Sequence, residues 1–203
     1  MEFGGIESSP DYDTLMKAVA VVKANEPETF FILAVGGGSI CDGCKFTAVA
    51  SMYNGSDPYG DLLEKQEEEI RSAVPLGVVV TLPATGSESN SNCVVTCHRT
   101  ETKFSIDHPL LLPRFAILDP SLSIPLPYGE MAIEVIETFV HVCEQYAKEW
   151  KHMDRCTESL LKVLTTNEQL EQTRTATEDA REDIMWVTNH VLNHLTAQSV
   201  RSD

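Results

Sequence analysis

The chain has 203 residues and a formal net charge of −16, with 31 acidic residues against 15 lysines and arginines. That balance excludes a nucleic-acid binder, which needs a basic face, and it excludes an anionic membrane surface as partner. No stretch is apolar for long enough to cross a bilayer, and the first residues lack a basic-then-apolar leader, so a cytoplasmic protein is expected.

Phe3 to Ile6 reads as a short strand. Ser9-Pro10 predicts a helix opening, with a hydroxyl at the N-cap, proline at the first helical position, and Asp11 and Asp13 at the positive end. Leu15, Ala18, Val19 and Val22 continue it as a helical stripe. Residues 30–35 form an apolar run with the length of one buried strand, and it stops at Gly36-Gly37-Gly38. A helix over 39–53 follows, with Ile40, Cys41, Cys44, Ala48, Val49 and Met52 in helical register. A strand, a glycine turn and a helix N-terminus together make a phosphate site, because glycine admits close approach and the first helical N–H groups are free. The spacing is neither that of a P-loop nor G-x-G-x-x-G, and a plain glycine turn is the alternative.

Residues 62–71 are acidic and read as a solvated surface segment. Leu76 to Leu82 predicts a second buried strand, running into Pro83-Ala84-Thr85-Gly86-Ser87-Glu88-Ser89-Asn90. Two apolar strands ending in such loops are what a parallel α/β sheet presents at its carboxyl edge, where nucleotides bind. Short strands follow at about 93–97, 103–106 and 114–118, and Pro120, Pro125 and Pro127 punctuate a linker. Beyond it the pattern is helical, at about 129–149, 153–165 and 178–197. The shift near residue 127 predicts an α/β domain over 1–127 and a helical one over 128–203, with a ligand cleft between them.

Glu137 and His141 lie one turn apart beside the stripe Ile133, Ile136, Val140 and Cys143. A carboxylate and an imidazole so placed can hold a divalent ion, although surface pairs of this kind are commoner. His190 and His194 repeat the spacing and read as an ordinary helix face. Of the six cysteines (41, 44, 93, 97, 143 and 156), Cys41-x-x-Cys44 and Cys93-x3-Cys97-His98 could together make a zinc site, but the cysteines read better as free thiols of a reduced protein.

Gly-Gly-Gly-Ser-x-x-Asp-x-x-Lys at 36–45, paired with Thr-Leu-Pro-Ala-Thr-Gly-Ser-Glu-Ser-Asn at 81–90, resembles the iron-containing alcohol dehydrogenases. The likeness is to the butanol-dehydrogenase-like, NADPH-dependent aldehyde reductase branch. Phe3-Gly4-Gly5-Ile6-Glu7, Phe115-Ala116-Ile117-Leu118-Asp119-Pro120, Phe139-Val140-His141 with Glu144-Gln145-Tyr146, and Met185-Trp186 extend it along the chain. The resemblance implies a partial Rossmann-like nucleotide-binding domain followed by part of a helical metal-binding domain, a dehydroquinate-synthase-like architecture. It implies NADP or NAD, held by Gly37, Gly38 and Ser39 at the pyrophosphate with Asp42 nearby, by Thr81, Leu82 and Thr85 along the nicotinamide, and by Lys103. It implies a divalent metal, iron or zinc, on Glu137 and His141, with glutamate at 137 where the family has aspartate. The extra methylene moves the carboxylate by roughly a bond length, and metal sites tolerate little such error.

The implied substrate is a small alcohol or aldehyde, and the likeness is compatible with a homodimer. The family's first strands and its two later histidine ligands have no counterpart in register, so a chain truncated at both ends is expected. Little activity is expected of it, with a sheet edge and apolar residues such as Ile184, Val187, Val191 and Leu195 left exposed. A non-catalytic nucleotide-binding or interaction protein of the same descent is the alternative.

Overall fold

The computed structural model describes residues 1–65, 70–148 and 178–191. The helix expected at 153–165, with His152, Cys156, His194 and Leu195, lies outside the described residues. Two compact units emerge, one from Met1–Val79 and Ser87–Ala116, the other from Val80–Gly86 and the chain from Ile117 onward.

In the first unit, helix α1 spans Tyr12–Lys23. Its N-cap is Asp11, whose carboxylate accepts from the Asp13 N–H at 3.1 Å, and not the expected Ser9. The reason is tertiary. The Thr96 N–H donates to the Pro10 carbonyl at 2.9 Å, and the His98 N–H donates to Asp11 Oδ1 at 3.1 Å. The chain is thereby held extended through Asp11, and Ser9 is turned into the left-handed region at φ 64°. The strand expected at Phe3 to Ile6 is absent: that segment is irregular, with Gly5 at φ 86°.

Strand β1 covers Ile32–Gly36 and helix α2 covers Gly38–Met52. After a π-helical turn at Tyr59–Glu64 come β2 (Leu76–Val80), β3 (Asn92–Cys97), β4 (Thr102–Asp107) and β5 (Phe115–Leu118). Among the described residues, a parallel sheet runs in the order β1-β2-β5, with helices following in sequence, as an α/β half ahead of a helical half predicts. β3 and β4 pair antiparallel, with Cys93 opposite Ile106 and Val95 opposite Phe104.

The inner face of this unit is packed from α1, α2 and the hairpin, through Leu15, Val19, Phe46, Val49, Val95 and Ile106. β2 is buried as expected, but β1 is not: Ala34 alone is sealed, while Leu33 and Val35 are 51% and 56% exposed. On the flanks of β2, Phe31 and Phe115 stack with ring centres 5.7 Å apart. Gly77 leaves them room, since a Cβ there would meet the Phe115 ring at 2.5 Å.

The second unit contains a 3-10 turn at Pro120–Ser123, capped by the Asp119 carboxylate, and then helices α3 (Tyr128–Lys148) and α4 (Glu178–Val191). α3 buries Met131, Val135 and Thr138, and α4 buries Arg181, Ile184, Met185, Val187 and Thr188. Ile184 and Val187 are each 1% exposed, against the expectation of an uncovered face. Among the described residues of these two helices, the uncovered large apolar side chains are Ile133, Ile136 and Val140 on α3 and Trp186 on α4.

Candidate functional site

The glycine turn joins β1 to α2 by a close approach of the backbone to the helix. β1 ends at Gly36, where a Cβ would collide with the Ile40 side chain at 2.5 Å. Gly37 is the N-cap of α2 and offers no side-chain cap, so the first N–H groups of the helix are left without an intrahelical partner. The Ser39 hydroxyl accepts the Ser9 N–H at 3.2 Å, and Lys103 Nζ on β4 reaches the Ser9 hydroxyl at 3.4 Å. Ser39 and Lys103 are therefore both held by Ser9. Nothing in the sequence marked Ser9 for this role.

Asp42 and Lys45, one turn further along α2, face inward. Asp42 Oδ1 accepts from the Ser87 hydroxyl at 2.5 Å and Oδ2 from the Val94 N–H at 3.0 Å. Burial pushes its carboxyl above the usual range, while the Ser87 hydroxyl, the Lys45 charge and the Val94 N–H pull the other way. Lys45 is wholly buried, and its ammonium donates to Ser87 Oγ, to the Asn90 carbonyl and side-chain oxygen, and to the Asn92 carbonyl at 2.6–3.0 Å. The neighbouring thiols are kept protonated by burial, Cys41 pushed up to about 11 and Cys44 to about 12. Cys41, Cys44, Cys93, Cys97 and Cys143 are all free.

The second unit carries Thr81, Leu82 and Thr85, half-buried on the loop after β2, and Glu137 and His141, half-buried on α3. Thr138, between the last two, donates from its hydroxyl to the Glu134 carbonyl at 2.8 Å and lies 3.4 Å from the Ala84 carbonyl, so α3 packs on that loop. Glu134 completes a stripe with Glu137 and His141 at i, i+3 and i+7, a spacing visible in the sequence. Its carboxyl is raised to about 7, first by burial, then by the charge and hydrogen bond of Glu137 and the charge of Glu130.

Two atoms bear on a metal here. His141 Nδ1 and Glu134 Oε2 are buried without a hydrogen-bond partner. A buried ring nitrogen left open beside a carboxylate one turn away is the donor chemistry of an iron or zinc ligand pair. Among the described residues no three His, Cys, Asp or Glu side chains are arranged to hold an ion, so Glu137 and His141 fit as part of a donor set. The backbone of His190 is helical within α4, and His194 lies outside the described residues.

Residues 1–120 match the profile of the iron-containing alcohol dehydrogenases. The NADPH-dependent aldehyde reductase YqhD of Escherichia coli K12 is 41% identical over the whole chain, which covers 53% of that protein. A probable NADH-dependent butanol dehydrogenase of Bacillus subtilis is 34% identical, again over the whole chain and 52% of its own length. The crystal structure of Escherichia coli YqhD superposes with a TM-score of 0.87 at 40% identity, over 97% of this chain and 50% of that one. The NADH-dependent butanol dehydrogenase A of Thermotoga maritima superposes with a TM-score of 0.83 at 26% identity, over 97% and 49%. The chain spans about half the length of the relatives it matches.

Proposed function

The chain belongs to the iron-containing alcohol dehydrogenase family, and from that membership we propose that it takes part in reversible hydride transfer between NADPH or NADH and a small aldehyde or alcohol. The observation that carries the reading is the uncapped α2 N-terminus, with Ser39 and Lys103 joined at its mouth through Ser9. Free amides at a helix start, one hydroxyl and one ammonium are what a pyrophosphate needs from a protein surface. Gly37, Gly38 and Ser39 take the pyrophosphate, and Thr81, Leu82 and Thr85 line the nicotinamide. Glu137 and His141 take the metal. When bound, the divalent ion supplies Lewis-acid polarisation of the carbonyl. The chain's own part is to bind and orient the cofactor and to offer a half-buried carboxylate and imidazole to the ion. The free thiols agree with a reducing, cytoplasmic setting.

The test is to load the purified 203-residue chain with zinc or, anaerobically, ferrous iron, and to measure metal content, NADPH binding and NADPH oxidation by butanal. Oxidation that needs both metal and aldehyde supports the proposal. NADPH binding with no metal retained converts the assignment to the non-catalytic alternative. Failure to bind either removes both.

A further inference from the structure

Lys45 is the most deeply committed cation of the first unit, and cofactor contact does not use it. It sits two turns into α2 with no solvent exposure. Its three N–H groups serve four acceptors on residues 87, 90 and 92, with Asn90 contributing two. From the preceding turn of the same helix, Asp42 takes the Ser87 hydroxyl and the Val94 N–H. Ser87 is thus the bridge, accepting from Lys45 and donating to Asp42. Asn90 Oδ1 also accepts the Asn92 N–H at 3.0 Å, and Asn92 Oδ1 accepts the Ser105 hydroxyl at 2.9 Å, which ties the same segment to β4.

Packing does not explain this arrangement. A buried charge network is seldom more stable than apolar residues of equal volume. What a fully satisfied network supplies is one conformation. The segment it grips follows directly on Pro83-Ala84-Thr85-Gly86, small residues with a left-handed Gly86 at φ 62° and little apolar bulk to fix their own course. The helix it grips from is the one whose first turn carries Gly38 and Ser39.

We propose that Lys45, acting through Ser87 and Asp42, is a positioning residue for the cofactor. It fixes the loop that carries Thr85 in its binding conformation by clamping Ser87–Asn92 onto α2. The proposal rests on the cofactor reading above, and it separates Lys45 from the residues that touch the ligand.

The experiment compares the 203-residue wild-type chain with Lys45→Met, the milder Ser87→Ala and the core control Val95→Ala. For each, dissociation constants are measured for NADPH and for ADP, which keeps the pyrophosphate and lacks the nicotinamide. Hydrogen exchange is followed over residues 86–94. The clamp predicts faster exchange in both network variants. It also predicts that the ratio of NADPH to ADP affinity falls by about tenfold in Lys45→Met, equivalent to about 1.4 kcal/mol, and by less in Ser87→Ala. The ratio in Val95→Ala should stay at the wild-type value. If Lys45→Met does not fold, Ser87→Ala carries the test. An unchanged ratio in the network variants, or equal weakening of both ligands, overturns the proposal. A wild-type chain that binds neither ligand overturns the cofactor reading beneath it, so the two failures are told apart.

Discussion

Two helices carry the candidate chemistry, and the polar groups of their candidate residues are partnered in opposite ways. On α2, Lys45 and Asp42 are sealed inside a network that satisfies the ammonium and both carboxylate oxygens. On α3, His141 Nδ1 and Glu134 Oε2 are buried with no partner, and on α4 the same holds for Arg181 Nε and Nη1. A satisfied network fixes a single geometry, whereas each buried unsatisfied group costs about 1–3 kcal/mol. The network around Lys45 and Asp42 is therefore closed on itself, although Ser51 Oγ further along α2 and Thr96 Oγ1 on β3 are buried without a partner. Among the described residues, the helical region holds buried polar groups with no partner, and the proposed metal would offset part of their cost.

The contrast is broken or sharpened first at Lys45. In Lys45→Met, Asp42 keeps its two donors but loses the buried cation that balances it, and removing one partner of such a set costs about 3–5 kcal/mol. Urea denaturation at neutral pH reads this directly. A loss no larger than that of a surface substitution would mean that the network is not a closed unit.

Asp11 gives the next effect. Burial works against its charge, but the His98 N–H, the His98 ring and the Asp13 N–H more than compensate, so its carboxyl lies below the usual range. A lowered carboxylate contributes stability above its unfolded value near pH 4, and that contribution is lost as pH falls through the folded value. Asp11→Ala should cost about 1 kcal/mol at pH 7, as the N-cap of α1 is lost. The difference from wild type should shrink toward pH 3. Thermal melts across that range would contradict the assignment if the gap stayed constant.

The sequence made the succession of elements legible, because the apolar runs at 30–35 and 76–82 each end in glycine or hydroxyl loops and the later stripes are helical. The family likeness, drawn from the motifs at 36–45 and 81–90, is borne out by the profile match over residues 1–120. What stayed hidden depends on distance along the chain. Asp11 caps α1 because His98, 87 positions later, holds it, and no local rule favours Asp11 over Ser9 before that contact is known. β1 read as buried because an unbroken apolar run does not say which faces are covered, and Leu33 and Val35 proved open. At the site, the sequence offered Asp42 and the glycines as neighbours of one ligand. It could not show that Asp42 and Lys45 are engaged by Ser87, 45 and 42 positions away. Glu134 shares the helical stripe of Glu137 and His141 by spacing, but the family motif covers only positions 137 and 141.

Glu134 carries an effect of opposite sign to those on α2 and at Asp11. Its carboxyl is raised from 4.5 to about 7 by burial first, then by the charge and hydrogen bond of Glu137 and the charge of Glu130. The folded state therefore holds this proton more tightly than the unfolded chain does. Its contribution is fully present below about pH 4.5 and is lost as pH rises through about 7. Glu134→Gln keeps the shape and never ionises. In the metal-free chain it should melt like wild type near pH 4.5 and a few degrees higher at pH 8, the reverse of Lys45→Met. Parallel melting curves across this range would show that Glu134 bears no such strain. Zinc should narrow the wild-type deficit at pH 8, because a cation beside Glu137 removes the repulsion that Glu134 feels once it is ionised and leaves the cost of burial. If zinc raised the melting temperature of wild type and of Glu137→Ala equally, the ion would be binding elsewhere, and the open groups on α3 would lose their explanation.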